Sequence, residues 1–195
     1  MGDIAITLYV HAGTLKNGIT YLKVRSEYLE AWGLEKDDVL HEALLNSYRI
    51  LPPRIYDFKK MMYTPGYAGE DFLNMDPYFI SDKKKKEGIC LSAKGLSNGA
   101  VAVLYPGVIK ELVEIMDGGF YVVLSSVHEA LIYSSKRCSL EELENLLRTS
   151  NARMTYQKEF LTDKVYYYCR EEDKFIMLRG SMKMLVTTIR MDEEN

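Results

Sequence analysis

Histidine and cysteine are scarce in this chain, and their scarcity removes whole classes of chemistry. The three cysteines, Cys90, Cys138 and Cys169, are odd in number and widely spaced. They form no CxxC pair and no zinc-ligand spacing, and they read as reduced, mostly packed thiols of a reducing cytoplasm. The three histidines, His11, His41 and His128, would all have to converge to build a histidine-rich metal site. His41-Glu42 sits on a helical stretch, but a zincin's HExxH needs a second histidine where Leu45 stands. Neither a metal nor a cofactor is expected.

An excess of one charge is lacking as well. Against 25 Lys and Arg stand 28 Asp and Glu, a formal charge of −3, so no long-range field favours nucleic acid or an anionic membrane. No apolar run approaches the ~20 residues that cross a bilayer. The opening MGDIAITLYV has no basic stretch, so a signal peptide is not expected, and Ile6 stands where myristoylation needs Ser or Thr. SAKGLSNGA lacks the GxxxxGKS of a phosphate loop, and the GxSxG elbow of a hydrolase is missing. What survives is a cytoplasmic protein whose partner is another protein, with no membrane and with nucleic acid disfavoured.

What is present is a globular pattern. At 195 residues and 47% hydrophobic, the chain is long enough to bury a sizeable core. Ile4 to His11 alternate with a period of two and mark a strand. Asn17-Gly18 then turns into a second strand over Ile19 to Arg25. A short helix carrying Tyr28, Leu29 and Trp32 stops at Gly33. A longer one spans Lys36 to Ile50, with Asp37 and Asp38 at its dipole's positive end and Pro52-Pro53 beyond it. Residues 54–87 read as an irregular connecting segment that ends in a run of lysines, Lys83 to Lys86, expected as a solvated loop with a phosphate-binding patch as the alternative.

From Gly88 the pattern sharpens. Ile89–Ala93 and Ala100–Tyr105 read as strands, and Pro106 opens a helix whose stripe is Val108, Ile109, Leu112, Val113 and Met116. Phe120–Leu124 and His128–Tyr133 make another hairpin. Ser139 with Glu142 forms a capping box, and VYYYC and KFIML flank the turn REED. A last strand is expected over Met184–Ile189. The expected organisation is 1–53 as hairpin plus helices, 54–87 as connector, 88–179 as core and 180–195 as extension, in one compact unit. Hairpins joined by tight turns imply an α+β fold, with mainly antiparallel sheet and helices packed on one face.

At NGAVAVLYPGV, at FYVVLSSVHEALI about a dozen residues later, and at VYYYCREEDKFIML, the chain resembles a clostridial domain-of-unknown-function family. YLEAWGLEKDDVLHEALLNSYRILPP resembles that family's tryptophan-containing helical region, and the resemblance covers most of residues 3–178. Leu124 stands where members commonly carry proline, and members commonly begin with a further N-terminal region. The resemblance implies a fold module and a bacterial or mobile-element origin. The family has no established activity, so no catalytic residue is transferred.

Two constellations remain. Ser126, His128 and Glu129 combine hydroxyl, imidazole and carboxylate, the types that a nucleophilic hydrolase needs. On one strand, however, His128 and Glu129 point to opposite faces, and serines at a hairpin corner bond nearby amides instead. Fifteen tyrosines are the stronger oddity. Tyr63, Tyr67 and Tyr78 in the connector, and Tyr166 and Tyr168 near a sheet edge, offer large amphipathic rings that suit protein contact. The sequence therefore reads as a non-enzymatic protein-binding module, with a mobile-element inhibitor of a bacterial system such as an anti-CRISPR as one form. The alternative is a hydrolase using Ser126, His128 and Glu129.

Overall fold

The computed structural model describes residues 2–15, 18–76, 80–153, 156–179 and 182–185. An N-terminal hairpin of β1 (Tyr9–Leu15) and β2 (Gly18–Lys23) stands apart from the main sheet. It is followed by α1 (Ser26–Trp32) and α2 (Lys36–Ile50). The next stretch contributes β3 (Pro53–Tyr56), α3 (Phe58–Tyr63), β4 (Glu70–Asp71) and α4 (Asp82–Glu87). Then come β5 (Ile89–Ala93), a 3-10 helix over Gly99–Leu104, α5 (Val108–Met116), β6 (Phe120–Val123) and β7 (Ala130–Ser134). The chain continues through α6 (Leu140–Arg153), β8 (Val165–Cys169), β9 (Lys174–Arg179) and β10 (Met182–Leu185). The main sheet has eight strands in the order β10-β9-β8-β6-β7-β5-β3-β4, each pair antiparallel.

The α+β class is therefore as expected, and alternation along the central strands explains its layers. Phe120 and Val122 of β6 and Tyr166 and Tyr168 of β8 turn to one face, against Leu112 and Met116 of α5 and Ala102 and Val103 of the 3-10 helix. Val123 and Val165 turn to the other face, where Leu143 and Leu147 of α6 cover them. Helices consequently lie on both faces rather than one, because these strands are apolar at successive positions. A third, small cluster of Leu8, Val24, Leu29 and Leu40 holds the N-terminal elements together, and Leu44 of α2 packs against both it and the main core.

Four local expectations change. The first strand begins at Tyr9, not Ile4: the preceding residues leave the hairpin because Asp3 is drawn to Tyr166 in the main sheet, where its amide donates to the phenol oxygen at 3.2 Å. Ala100–Tyr105 forms the 3-10 helix instead of a strand. β5 already pairs with β3 on one edge and β7 on the other, so a hairpin partner has no edge left. The connector is ordered into two strands of the main sheet, β3 and β4, and two helices. Its lysine run is α4, capped by Ser81, whose hydroxyl accepts from the Lys84 amide at 3.3 Å. Of the expected last strand, Met184 and Leu185 fall in β10, and Val186–Ile189 lie outside the described residues.

Candidate functional site

The corner between β6 and β7 gathers most of the polar side chains that looked chemical. The backbone there is pinned from two sides: the Ala100 amide donates to the Val127 carbonyl at 3.0 Å, and the Val127 amide to the Glu159 carbonyl at 2.9 Å. Ser126, 7% exposed, accepts from the His128 amide at 3.1 Å and donates to Glu129 Oε1 at 3.0 Å. The His128 imidazole looks elsewhere. Its Nδ1 accepts from the Asn98 amide at 3.3 Å, which puts the ring proton on Nε2, 3.4 Å from Glu159 Oε1. The His128 carbonyl accepts from the Ser92 hydroxyl at 2.6 Å.

This arrangement joins three loops but makes no relay. A serine nucleophile must hand its proton to an imidazole nitrogen, and Ser126 points its hydroxyl at a carboxylate while both ring nitrogens are engaged with other groups. A cavity of about 610 Å³ does open on the surface, between the LYPG stretch and the β8–β9 turn, but Ser126, His128 and Glu129 do not line it. Among the described residues no cluster of three or more His, Cys, Asp or Glu could hold a metal ion. Cys90 is an equally poor nucleophile: burial pushes its thiol up to about 12.

The five tyrosines separate. Tyr63 ends α3 with its ring in solvent. Tyr67 is bound to its own segment: its hydroxyl accepts from the Asp57 amide at 3.3 Å, its ring meets Tyr56 edge-on at 6.2 Å, and burial raises its pKa. Tyr78 lies outside the described residues. Tyr166 and Tyr168 are corrected outright as contact residues, because both are buried in the main core. Tyr168 stacks on Phe120 at 5.2 Å and bonds Asp173, while the Tyr166 hydroxyl donates to Asp3. Burial, then the neighbouring carboxylate, raises both phenol pKa values. Tyr167, between them, is the ring on the other face, 5.5 Å from Tyr121.

Two exposed apolar surfaces take their place. On the β1–β2 arm, Tyr9 and Tyr21 lie on one face and the cross-strand pair Val10–Leu22 on the other, and all four are exposed. On α3, Phe58, Met61, Met62 and Tyr63 are exposed and no residue of the helix is buried. The sequence signal for the first was a hairpin with large apolar residues at successive positions; for the second it was FKKMMY, apolar at both ends and basic between.

A family model, described as a family of unknown function, DUF5688, matches residues 1–170. The chain belongs to the DUF5688 family. No curated protein and no solved structure matches it. The DUF5688 match takes in the arm, α3, the polar corner and the first eight strands. Among the described residues no helix is long and apolar enough to cross a membrane.

Proposed function

We propose that this protein is a cytoplasmic binding module that works by protein–protein contact, and that the β1–β2 arm is its contact surface. The observation behind this reading is that the arm exposes large apolar side chains on both faces while pairing, among the described residues, with no strand of the main sheet. A two-stranded ribbon is marginal in water unless something covers it. Tyrosine and tryptophan are the residues enriched where proteins meet, and Trp32 at the end of α1 is a further half-exposed ring of the N-terminal elements. A module of this kind acts by occupying a surface, as an inhibitor of a bacterial system such as an anti-CRISPR would. The hydrolase reading draws no support from a serine whose proton is directed at Glu129.

A photo-crosslinking residue placed at Tyr21, in full-length protein expressed in the native host, tests the proposal. One specific protein adduct is expected, missing when the same residue is placed at Glu141 on α6 and lost with Leu22→Asp. Adducts of equal yield and identity at both positions, or none at Tyr21 in folded protein, would sink the arm as a contact surface.

A further inference from the structure

The second exposed surface differs in chemistry from the arm. Helix α3 is a single short helix with Phe58, Met62 and Tyr63 at 55%, 71% and 78% exposure, so its apolar side chains project from a convex tip rather than line a groove. Polar contacts at its base hold it out. The Asp57 side chain accepts from the Lys59 and Lys60 amides at 2.9 and 3.1 Å, and Lys84 of α4 reaches the other Asp57 oxygen at 3.3 Å, which sets α4 beside α3.

The charges around this tip are lopsided in a way that the chain's total of −3 conceals. The ion-paired carboxylates around it each hold their own cation: Asp57 to Lys84, Glu70 to Lys60 at 2.5 Å, Asp71 to Arg54 at 3.6 Å, Glu87 to Lys83 at 3.6 Å and Asp82 to Arg137 at 2.6 Å. Lys59, Lys85 and Lys86 are left over, with no carboxylate at ion-pair distance among the described residues, while Asp82 and Asp117 attract Lys85, and Glu142 attracts Lys86, from further off. The next carboxylates along the surface are engaged too, Asp117 by Lys136 at 2.5 Å and Glu142 by the Ser139 cap at 2.9 Å. A surplus of lysine thus flanks a projecting tip of Phe, Met and Tyr.

We propose that the α3–α4 face docks on an anionic lipid bilayer, with Phe58, Met62 and Tyr63 entering the headgroup boundary and the surplus lysines meeting lipid phosphates. Shape and charge both favour this occupant. A bilayer closes around a convex tip, whereas a protein partner would need a pocket cut to fit it. Aromatic and aliphatic side chains entering the outermost ~5–10 Å, with basic residues beside them, are the chemistry of surface binding without spanning. The sequence-based expectation of no membrane partner rested on total charge and on the lack of a spanning run. Neither bears on a local surface.

Flotation of the full-length protein with phosphatidylcholine vesicles, and with equimolar phosphatidylcholine and phosphatidylglycerol vesicles, decides the matter. Co-flotation with the anionic vesicles alone is expected, weakening as added salt shortens the Debye length. Lys85→Gln with Lys86→Gln should lower the partition coefficient roughly 30-fold, at the increment usual for two lysines near an anionic surface. Met62→Asp with Tyr63→Asp should leave the protein folded, since α3 buries nothing, yet keep it off the vesicles. Wild-type protein that ignores both vesicles, or binds both alike, overturns the proposal, as does an α3 variant that floats like wild type. Capture of the α3 face by an acidic protein, with no vesicle binding, would reassign the surface to protein contact and reject the lipid.

Discussion

Two hairpins in this protein carry alternating tyrosines and end differently. In β8–β9, Tyr166 and Tyr168 are 0% and 5% exposed; in β1–β2, Tyr9 and Tyr21 are 60% and 58% exposed. Strand propensity does not distinguish them. Neighbours do: β8 lies between β6 and β9 under the helical layer, while β1 and β2 pair with one another alone among the described strands. Covering one large apolar side chain is worth about 1.5–3 kcal/mol. The arm therefore forgoes a sum that the sheet collects, and that sum is what a partner would recover.

The sharpest way to break this comparison is to truncate a ring on the sheet side. Phe120, fully buried and stacked on Tyr168, should cost about 3–5 kcal/mol as Phe120→Ala, read by urea denaturation. A loss below about 1 kcal/mol would show that the core collapses around the gap and that burial is a poor guide here. Next comes Gly99→Ala at the start of the 3-10 helix. Its methyl would lie 2.0 Å from Ser92 Oγ and 2.5 Å from the Ala93 amide, which is backbone and yields little. A loss of about 1–3 kcal/mol follows from such overpacking. Smaller again is Tyr166→Phe, which keeps the ring buried and removes the bond to Asp3, for about 1 kcal/mol. Asp3 also accepts from Thr162 at 2.8 Å, so hydrogen exchange at residues 3–8 should rise without global unfolding.

How much of this was legible beforehand follows the same division. The bounds of α2 were readable from sequence because local chemistry sets both: Asp37 and Asp38 in its first turn, Pro52-Pro53 after its end. The Ser139–Glu142 box was readable for the same reason, and both halves of it form. Strand β3 was not, being four residues that begin on a proline, held by β5 and β4 from elsewhere in the chain. The 3-10 helix was hidden because Ala100–Tyr105 is a short unbroken apolar run, which reads like a buried strand, and competition for β5's edges is a fact about three distant segments. At the polar corner the residue types could be read, but the Asn98 and Glu159 partners that take the His128 ring lie 30 and 31 positions away. In VYYYC every position is a plausible inward one, so which rings are buried depends on the register with β6.

Acid gives a gentler handle on the α3 side. The Lys60 amide, ahead of Lys84, holds the Asp57 carboxyl below the usual range. A depressed folded pKa contributes stability that is fully present above the unfolded value, about 3.9, and is lost as pH falls through the folded one. Carbon-13 titration of Asp57 should give a midpoint below that of a model peptide, and the Lys59 and Lys60 amides should exchange faster only beneath it. An ordinary midpoint would mean that the cap does not hold α3 in solution.

The smallest effect belongs to the arm. Tyr21 is 58% exposed, its nearest described ring neighbour being His11 at 6.0 Å, so Tyr21→Ala removes little native contact. Stability of the isolated protein should change by less than about 0.5 kcal/mol, as for surface positions that anchor nothing. The same substitution in the presence of the crosslinked partner should cost far more, because the ring would then be covered. If Tyr21→Ala destabilised the lone chain as Phe120→Ala does, the arm would already be buried in solution, and the contrast between the two hairpins would belong to the isolated chain alone.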